Sequence, residues 1–589
     1  MTLILDAARM ASNRTRPSLH FTAGFWINDP CAPGYDPATG LYHVFYQCNP
    51  HSTEWGSMSW GHLTSKNLIS WTPSESPALV PDQPYDRDGV FTGCMVQPTN
   101  SQDSLKVIYS SVRRLPFHWS TPPYPRNAAG LAIAESNDNG ETWTKLSENP
   151  FLMGEPKGLQ VTGFRDPFLS EWPALDQLRG QKSLYGLVSG GIDGYGPTAF
   201  LYSVPHENVS EWHYLCPLVD MSARFQPSQK WTGNFGVNWE CANFLTLRSE
   251  STSRVCLILG AEGDVEREHI RNFKHHPHVP PRTVRSLLWM FGDLRAGRDT
   301  TRVDFTHGGY LDCGSLYAAN SFFDALSQRH IMHAWIPEED ITAEYAKHKG
   351  WNGALAIARE LFLLSIPSVT RALHSPLSEM ASVEKVRDKD GSVTIRTLGI
   401  RPVEEITQLR RHCDNVCKRY RISLPSSTAR ETQALCSALF TTWELEASIE
   451  IDPSRCIEVG FSISHNGDPS ICTTITFLLQ EETIRVNKGR SASDPNIRNC
   501  PEQGPFTLFY RTNDQAAEPR DKLEDLHIRI IADADVMEIF ANDRFALTTM
   551  VYSPSCISPA IVSAFAEGGP GSAFIKDVTV WEGLSSTRK

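Results

Sequence analysis

The 589-residue sequence has no run approaching the roughly 18 apolar residues of a transmembrane helix, so no membrane span is expected. It also lacks an excess of positive charge. Against 67 Asp and Glu stand 55 Lys and Arg, a formal net charge of −12, which argues against nucleic acid or an anionic membrane as partner. The apolar start Met1-Thr-Leu-Ile-Leu breaks at Asp6, too early for a secretory leader, and the chain is expected to be cytoplasmic. The 14 cysteines are scattered singly rather than in the short-spaced framework of a disulfide-stapled domain, as reduced thiols would be. Finally, no long amphipathic helix is legible before about residue 370, which excludes a regular α/β alternation there.

What the chain does have is turns and aromatics: 39 Gly, 39 Pro, 15 Trp, 16 Tyr and 27 Phe, a composition suited to many short strands. Three stretches share one grammar of strand, polar turn and closing Trp: Trp60–Trp71, Leu131–Trp143 and Phe200–Trp212. Their closing tryptophans are 72 and 69 residues apart, a spacing that fits a four-stranded propeller blade with generous loops. Strand-like runs before about residue 370 sort into five sets, beginning near Trp26, Val90, Phe164, Trp239 and Leu316. From Trp443 onward ten short alternating runs read as a β-sandwich. The expected architecture is all-β: a five-bladed β-propeller over 1–400, a linker with a short helix over 401–435, and a β-sandwich over 436–589.

The first strand of a propeller blade lines the central funnel, and that is where three acidic residues fall. Asp29 lies on the first strand of set one, Asp166 on that of set three and Glu240 on that of set four. Taken alone, Asn28-Asp29-Pro30 is a turn, Arg165-Asp166-Pro167 a turn or ion pair, and Glu240 a solvated strand position. Their common register favours a functional reading, because converging carboxyl groups are what cleavage through an oxocarbenium-like transition state requires.

Trp26-Ile-Asn-Asp-Pro30, Phe164-Arg-Asp-Pro167 and Trp239-Glu-Cys241 resemble the three acidic signatures of the family 32 glycoside hydrolases, which comprise invertases, inulinases and fructosyltransferases. Tyr46-Gln-Cys-Asn-Pro50, Trp60-Gly-His62, Phe91-Thr-Gly93, Tyr317-Ala-Ala-Asn-Ser-Phe322, Trp351-Asn-Gly353 and Val578-Thr-Val-Trp-Glu582 extend the resemblance over nearly the whole chain. It implies a propeller joined to a sandwich, with Asp29 as nucleophile, Glu240 as general acid/base and Asp166 as the group holding the fructose hydroxyls. Asn28, Gln47, Trp55, Phe91, Thr92 and Arg165 are the implied walls of a fructose pocket. The family's usual Asn-Gly after Asp-Pro is replaced by Cys31-Ala32-Pro33-Gly34, a variant similar to fungal fructosyltransferases that build short inulin-type oligosaccharides. Sucrose is the expected substrate, with transfer of fructose to sucrose alongside hydrolysis; a mainly hydrolytic enzyme and a non-catalytic sugar-binding module are the alternatives.

The loop running from Glu262 to His278 invites a metal reading, but its prolines and lack of paired ligands oppose one. It is expected to be a solvated rim whose Glu262, Glu266 and His278 contact an acceptor sugar. No metal and no cofactor are expected, and the sandwich is expected to be structural or oligomer-forming, with a homodimer left open.

Overall fold

The computed structural model describes residues 16–98, 103–249, 252–263, 279, 282–296, 301–388, 392–424, 431–438, 441–512, 521–553 and 560–585. Between Trp26 and Pro402 the chain lays down five antiparallel sheets in sequence order, the first four having four strands each. The first strands of these sheets are Trp26–Asp36, Gly89–Val96, Val161–Glu171, Asn238–Ser249 and Tyr317–Asp324. Each lies beside the next, and the fifth returns to the first, so they form a closed ring. This is a β-propeller, and its five sheets fit the five blades expected; they are numbered 1–5 below.

Closure rests on side chains packed between blades. Phe45, Trp60 and Tyr109 fill the gap between blades 1 and 2, and Phe164, Phe200 and Ile108 that between blades 2 and 3. Each large side chain so buried contributes roughly 1.5–3 kcal/mol. The closing tryptophans of the repeat immediately precede the outermost strands Thr72–Pro73, Thr144–Lys145 and His213–Pro217. They act as mortar at the rim: Trp71 meets His333, Trp143 meets Phe45 edge-on, and Trp212 meets Phe151.

The sandwich consists of two six-stranded sheets with one apolar core between them. In the stretch read from sequence as linker, the helical spacing yields a 3-10 helix, Glu404–His412, but the residues beyond it are sandwich strands. Asn415–Ser423 pairs with Ala573–Glu582, and Thr432–Ala438 with Ala560–Gly568. The first of these buries only Ile422, so it carries no alternation to read. Phe509–Thr512, counted with the sandwich, instead pairs with propeller strand Arg359–Ala372 and ties the two parts together.

Candidate active site

Every one of the five inner strands carries a β-bulge at the same level. Asn28 and Asp29 stand opposite Gln47 alone, Thr92 is extra in blade 2, and Asp166 is extra in blade 3. Cys241 and Ala242 together oppose Leu259, and Ala318 and Ala319 together oppose Ala334. A bulge breaks the ladder, sharpens the local twist and re-aims a side chain. Asp166, Cys241 and Ala318 take up left-handed backbone angles there, with φ of 62°, 49° and 50°. Asp29, Thr92 and Asp166 are thus bulge residues, while Glu240 and Tyr317 sit one residue before a bulge.

The amides that the bulges release are taken up by the neighbouring blade. Asp166 N–H donates to Ser110 Oγ at 2.7 Å, Cys241 N–H to Asp166 Oδ2 at 3.1 Å, and Ala242 N–H to Ser189 Oγ at 2.8 Å. Ser321 N–H donates to Asn243 Oδ1 at 2.7 Å. The bulge residues Asp166, Cys241 and Ala242 therefore stitch blades 2 to 4 together, and Ser321, two residues past the blade 5 bulge, ties blade 5 to blade 4.

Three donors converge on Asp29. Asn28 Nδ2 reaches Oδ1 at 3.1 Å, and Trp26 Nε1 donates to Asn28 Oδ1 at 3.0 Å, which fixes that amide's orientation. Gln47 Nε2 and Thr92 Oγ1 reach Oδ2 at 3.1 and 2.6 Å. The Cys241 thiol lies between the carboxyl groups of blades 1 and 3, 3.9 Å from Asp29 Oδ2 and 3.7 Å from Asp166 Oδ2.

Glu240 is held from two sides. Arg165 Nε donates to its Oε1 at 3.0 Å, and Tyr317 Oη to its Oε2 at 2.8 Å. Burial, followed by the charge of Glu262, pushes the Glu240 carboxyl above its usual range against the pull of Arg165. Asp166 is pushed well up, first by burial, with the Glu240 and Asp29 carboxylates adding to it against Arg165. Glu262 goes the other way. Burial works to raise it, but His118, Arg165 and Asn238 together hold it below its usual range. Arg165 Nη2 reaches Glu262 Oε2 at 3.0 Å, and Asn238 Nδ2 reaches the same oxygen at 2.9 Å. One buried guanidinium thus serves several carboxyl groups whose protonation tendencies are driven apart.

The structure brings Asn28, Asp29, Gln47, Thr92, Arg165, Asp166, Glu240 and Glu262 into one cluster of hydrogen bonds and ion pairs, its two halves joined where Arg165 Nε lies 3.9 Å from Asp166 Oδ2. Phe91 is buried beside it, and Trp55, 51% exposed, meets the Phe91 ring edge-on at 6.1 Å at the mouth. Glu262 is not on a solvated rim: it ends strand Thr252–Glu262 and is 3% exposed. Glu266 and His278 lie outside the described residues. Cys31 is wholly buried among Phe45 and Trp60, its thiol directed to the Asp29 carbonyl at 3.2 Å. Sequence reasoning missed Tyr317, Cys241, Asn238 and His118. Tyr317 had a signal, since it is the second residue of the run that begins set five at Leu316, as Glu240 is of the run that begins set four at Trp239. His118 had none, because a loop residue has no register.

Residues 20–374 match the glycosyl hydrolases family 32 N-terminal domain, and residues 405–582 match the family 32 C terminal domain. A β-fructofuranosidase from Aspergillus kawachii, solved with glycerol, is 26% identical with a TM-score of 0.85, covering 98% of this chain and 96% of its own. A fructosyltransferase from A. japonicus is likewise 26% identical, with a TM-score of 0.84, over 97% of this chain and 95% of its own. Fructan 6-exohydrolase from Beta vulgaris is 25% identical over 591 residues, 96% of this chain and 86% of that protein.

Proposed function

This chain belongs to glycosyl hydrolase family 32, and from that premise we propose that it is a retaining β-fructofuranosidase that cleaves sucrose and passes the fructosyl group to a second sucrose as well as to water. The observation carrying the proposal is the pairing of two carboxyl groups in opposed environments. Asp29 accepts hydrogen bonds from three donors, while Glu240 has its protonation favoured by burial and by Glu262 against Arg165.

In this reading an Asp29 oxygen attacks the anomeric C2 of the fructosyl unit as the bond from C2 to the glucosyl oxygen breaks. Glu240 gives its proton to that oxygen and glucose leaves. An acceptor hydroxyl then returns a proton to Glu240 while its oxygen attacks C2 and frees Asp29. Asp166, one bulge away, orients the fructose hydroxyls. Two buried polar atoms of the cluster, Gln47 Oε1 and Arg165 Nη1, have no hydrogen-bond partner among the described residues, and a polyhydroxylated ring supplies the missing acceptor and donor groups. Trp55 offers an exposed ring on which a sugar face can rest.

The similarity to the A. japonicus fructosyltransferase supports transfer, and the similarity to the A. kawachii β-fructofuranosidase supports cleavage. Chromatography of products formed from concentrated sucrose, beside an Asp29→Asn control, tests the proposal. Glucose in excess of free fructose, with a new trisaccharide, is the expected result. Equal glucose and fructose would reduce the reading to hydrolysis alone, and no turnover would remove it in favour of a sugar-binding module.

A further inference from the structure

A second cavity, of about 690 Å3, lies on the blade 3 side of the propeller and contains none of the three acidic residues of the site. Its walls come from the loop after the second strand of blade 2, the approach to the inner strand of blade 3, and the turn between Leu184–Ile192 and Gly196–Val204. Three aromatic side chains line it: Trp119, Tyr124 and Tyr195. Tyr195 is 76% exposed at the tip of its turn, so packing does not account for a large ring there. Asp193 and Arg224 add polar groups to the same lining, and Thr162 lies at the boundary with the inner strand. The guanidinium of Arg126, also on the wall, is occupied by the carbonyls of Glu155, Pro156 and Leu159.

Flat rings beside a few polar groups of both signs match a neutral, polyhydroxylated ligand better than an anion. The volume lies within the roughly 300–1,000 Å3 of small-molecule sites, enough for an oligosaccharide of a few units. The cavity also adjoins the acid side of the candidate active site. His118, on its wall, places Nε2 3.4 Å from Glu262 Oε1. Thr162 Oγ1 donates to Asn238 Oδ1 at 2.9 Å, and Asn238 Nδ2 holds Glu262, which shares Arg165 with Glu240. The Trp119 ring packs over Gly263, the residue after Glu262, where an added Cβ would come within 3.3 Å of it.

We propose that this cavity is a second carbohydrate site, which holds a neutral fructosyl oligosaccharide on Trp119 and Tyr195 and adjoins the Glu262–Arg165–Glu240 chain. The choice of a fructosyl sugar rests on the proposed function; the existence of the site does not. Calorimetric titration of the full-length Asp29→Asn protein with 1-kestose tests it without turnover. The expected result is two classes of site. In Asp29→Asn/Tyr195→Ala one class weakens by about tenfold, the scale of losing one stacking contact, and the other keeps its affinity. Tyr195→Phe, which keeps the ring, restores the lost class and controls for misfolding. A single class in both proteins, or two classes indifferent to Tyr195→Ala, would overturn the proposal. In the otherwise native chain, Tyr195→Ala leaves kcat/KM for dilute sucrose within about twofold. If the native chain fails to cleave sucrose while two-class binding persists, the functional reading falls and the second site stands.

Discussion

Tyr317 and Glu262 bear on Glu240 in opposite senses, which makes the acid testable residue by residue. The Tyr317 hydroxyl donates to the Glu240 carboxyl and so favours its ionised form, whereas the negative charge of Glu262 disfavours it. A general acid must be protonated to act, so kcat/KM falls as pH rises through its pKa. Tyr317→Phe is therefore expected to shift the basic limb of the pH profile upward. Glu262→Gln shifts it downward, because it removes a repelling charge and leaves Arg165 freer to pair with Glu240. Shifts of the same sign in both variants would contradict this assignment. Glu240→Gln is expected to lower kcat for sucrose by about 10²–10⁴-fold, with most of the loss recovered on a fructosyl donor whose leaving group needs no proton.

At the scale of elements, the five aligned bulges are the device that turns ordinary strands into a site. Gly93 follows the blade 2 bulge, and a Cβ on it would overlap the Ile108 carbonyl of the next strand. Gly93→Ala is thus expected to displace Thr92 from Asp29 and to reduce activity more than it reduces melting temperature, measured side by side. The inner strands and their acidic residues were legible in the sequence, since register alone placed Asp29, Asp166 and Glu240 at one level. The bulges were not, because an extra residue in a ladder leaves no mark on composition. Nor were the outermost strands: Thr72–Pro73 and Thr144–Lys145 are two residues long and have no period. Arg359–Ala372 runs through Pro367, with a register shift between Ile366 and Val369 accommodating the missing donor.

At the scale of the whole molecule, propeller and sandwich meet through buried ions. Arg359, wholly buried, donates to Asp312 at 2.9 Å and to Glu538 at 2.7 Å, and Lys488 of the sandwich binds Asp340 of the propeller at 2.8 Å. Removing one partner strands the others, so Arg359→Met is expected to cost about 3–5 kcal/mol in chemical denaturation. His20 joins the same junction, 2.9 Å from both Asp533 and Glu538. Burial would lower its pKa, but hydrogen bonds and charge from the two carboxylates prevail and raise it to about 9, from 6.5. A raised folded pKa stabilises fully below pH 6.5 and is lost as pH climbs through 9. Stability should accordingly decline over that window, and His20→Gln should flatten the decline; an unchanged slope would show that His20 does not carry it. None of this junction was visible in sequence, where each member is one charged residue among many.

The central claim is a fructosyl group carried on Asp29, and trapping it is the most direct test. Glu240→Gln treated with β-fructofuranosyl fluoride, quenched in acid and digested, should yield the peptide containing Asp29 heavier by one fructosyl residue, with no label after Asp29→Asn is added to Glu240→Gln. An unlabelled Asp29 peptide while fructose is still released, or a label on another carboxyl group, would contradict the account.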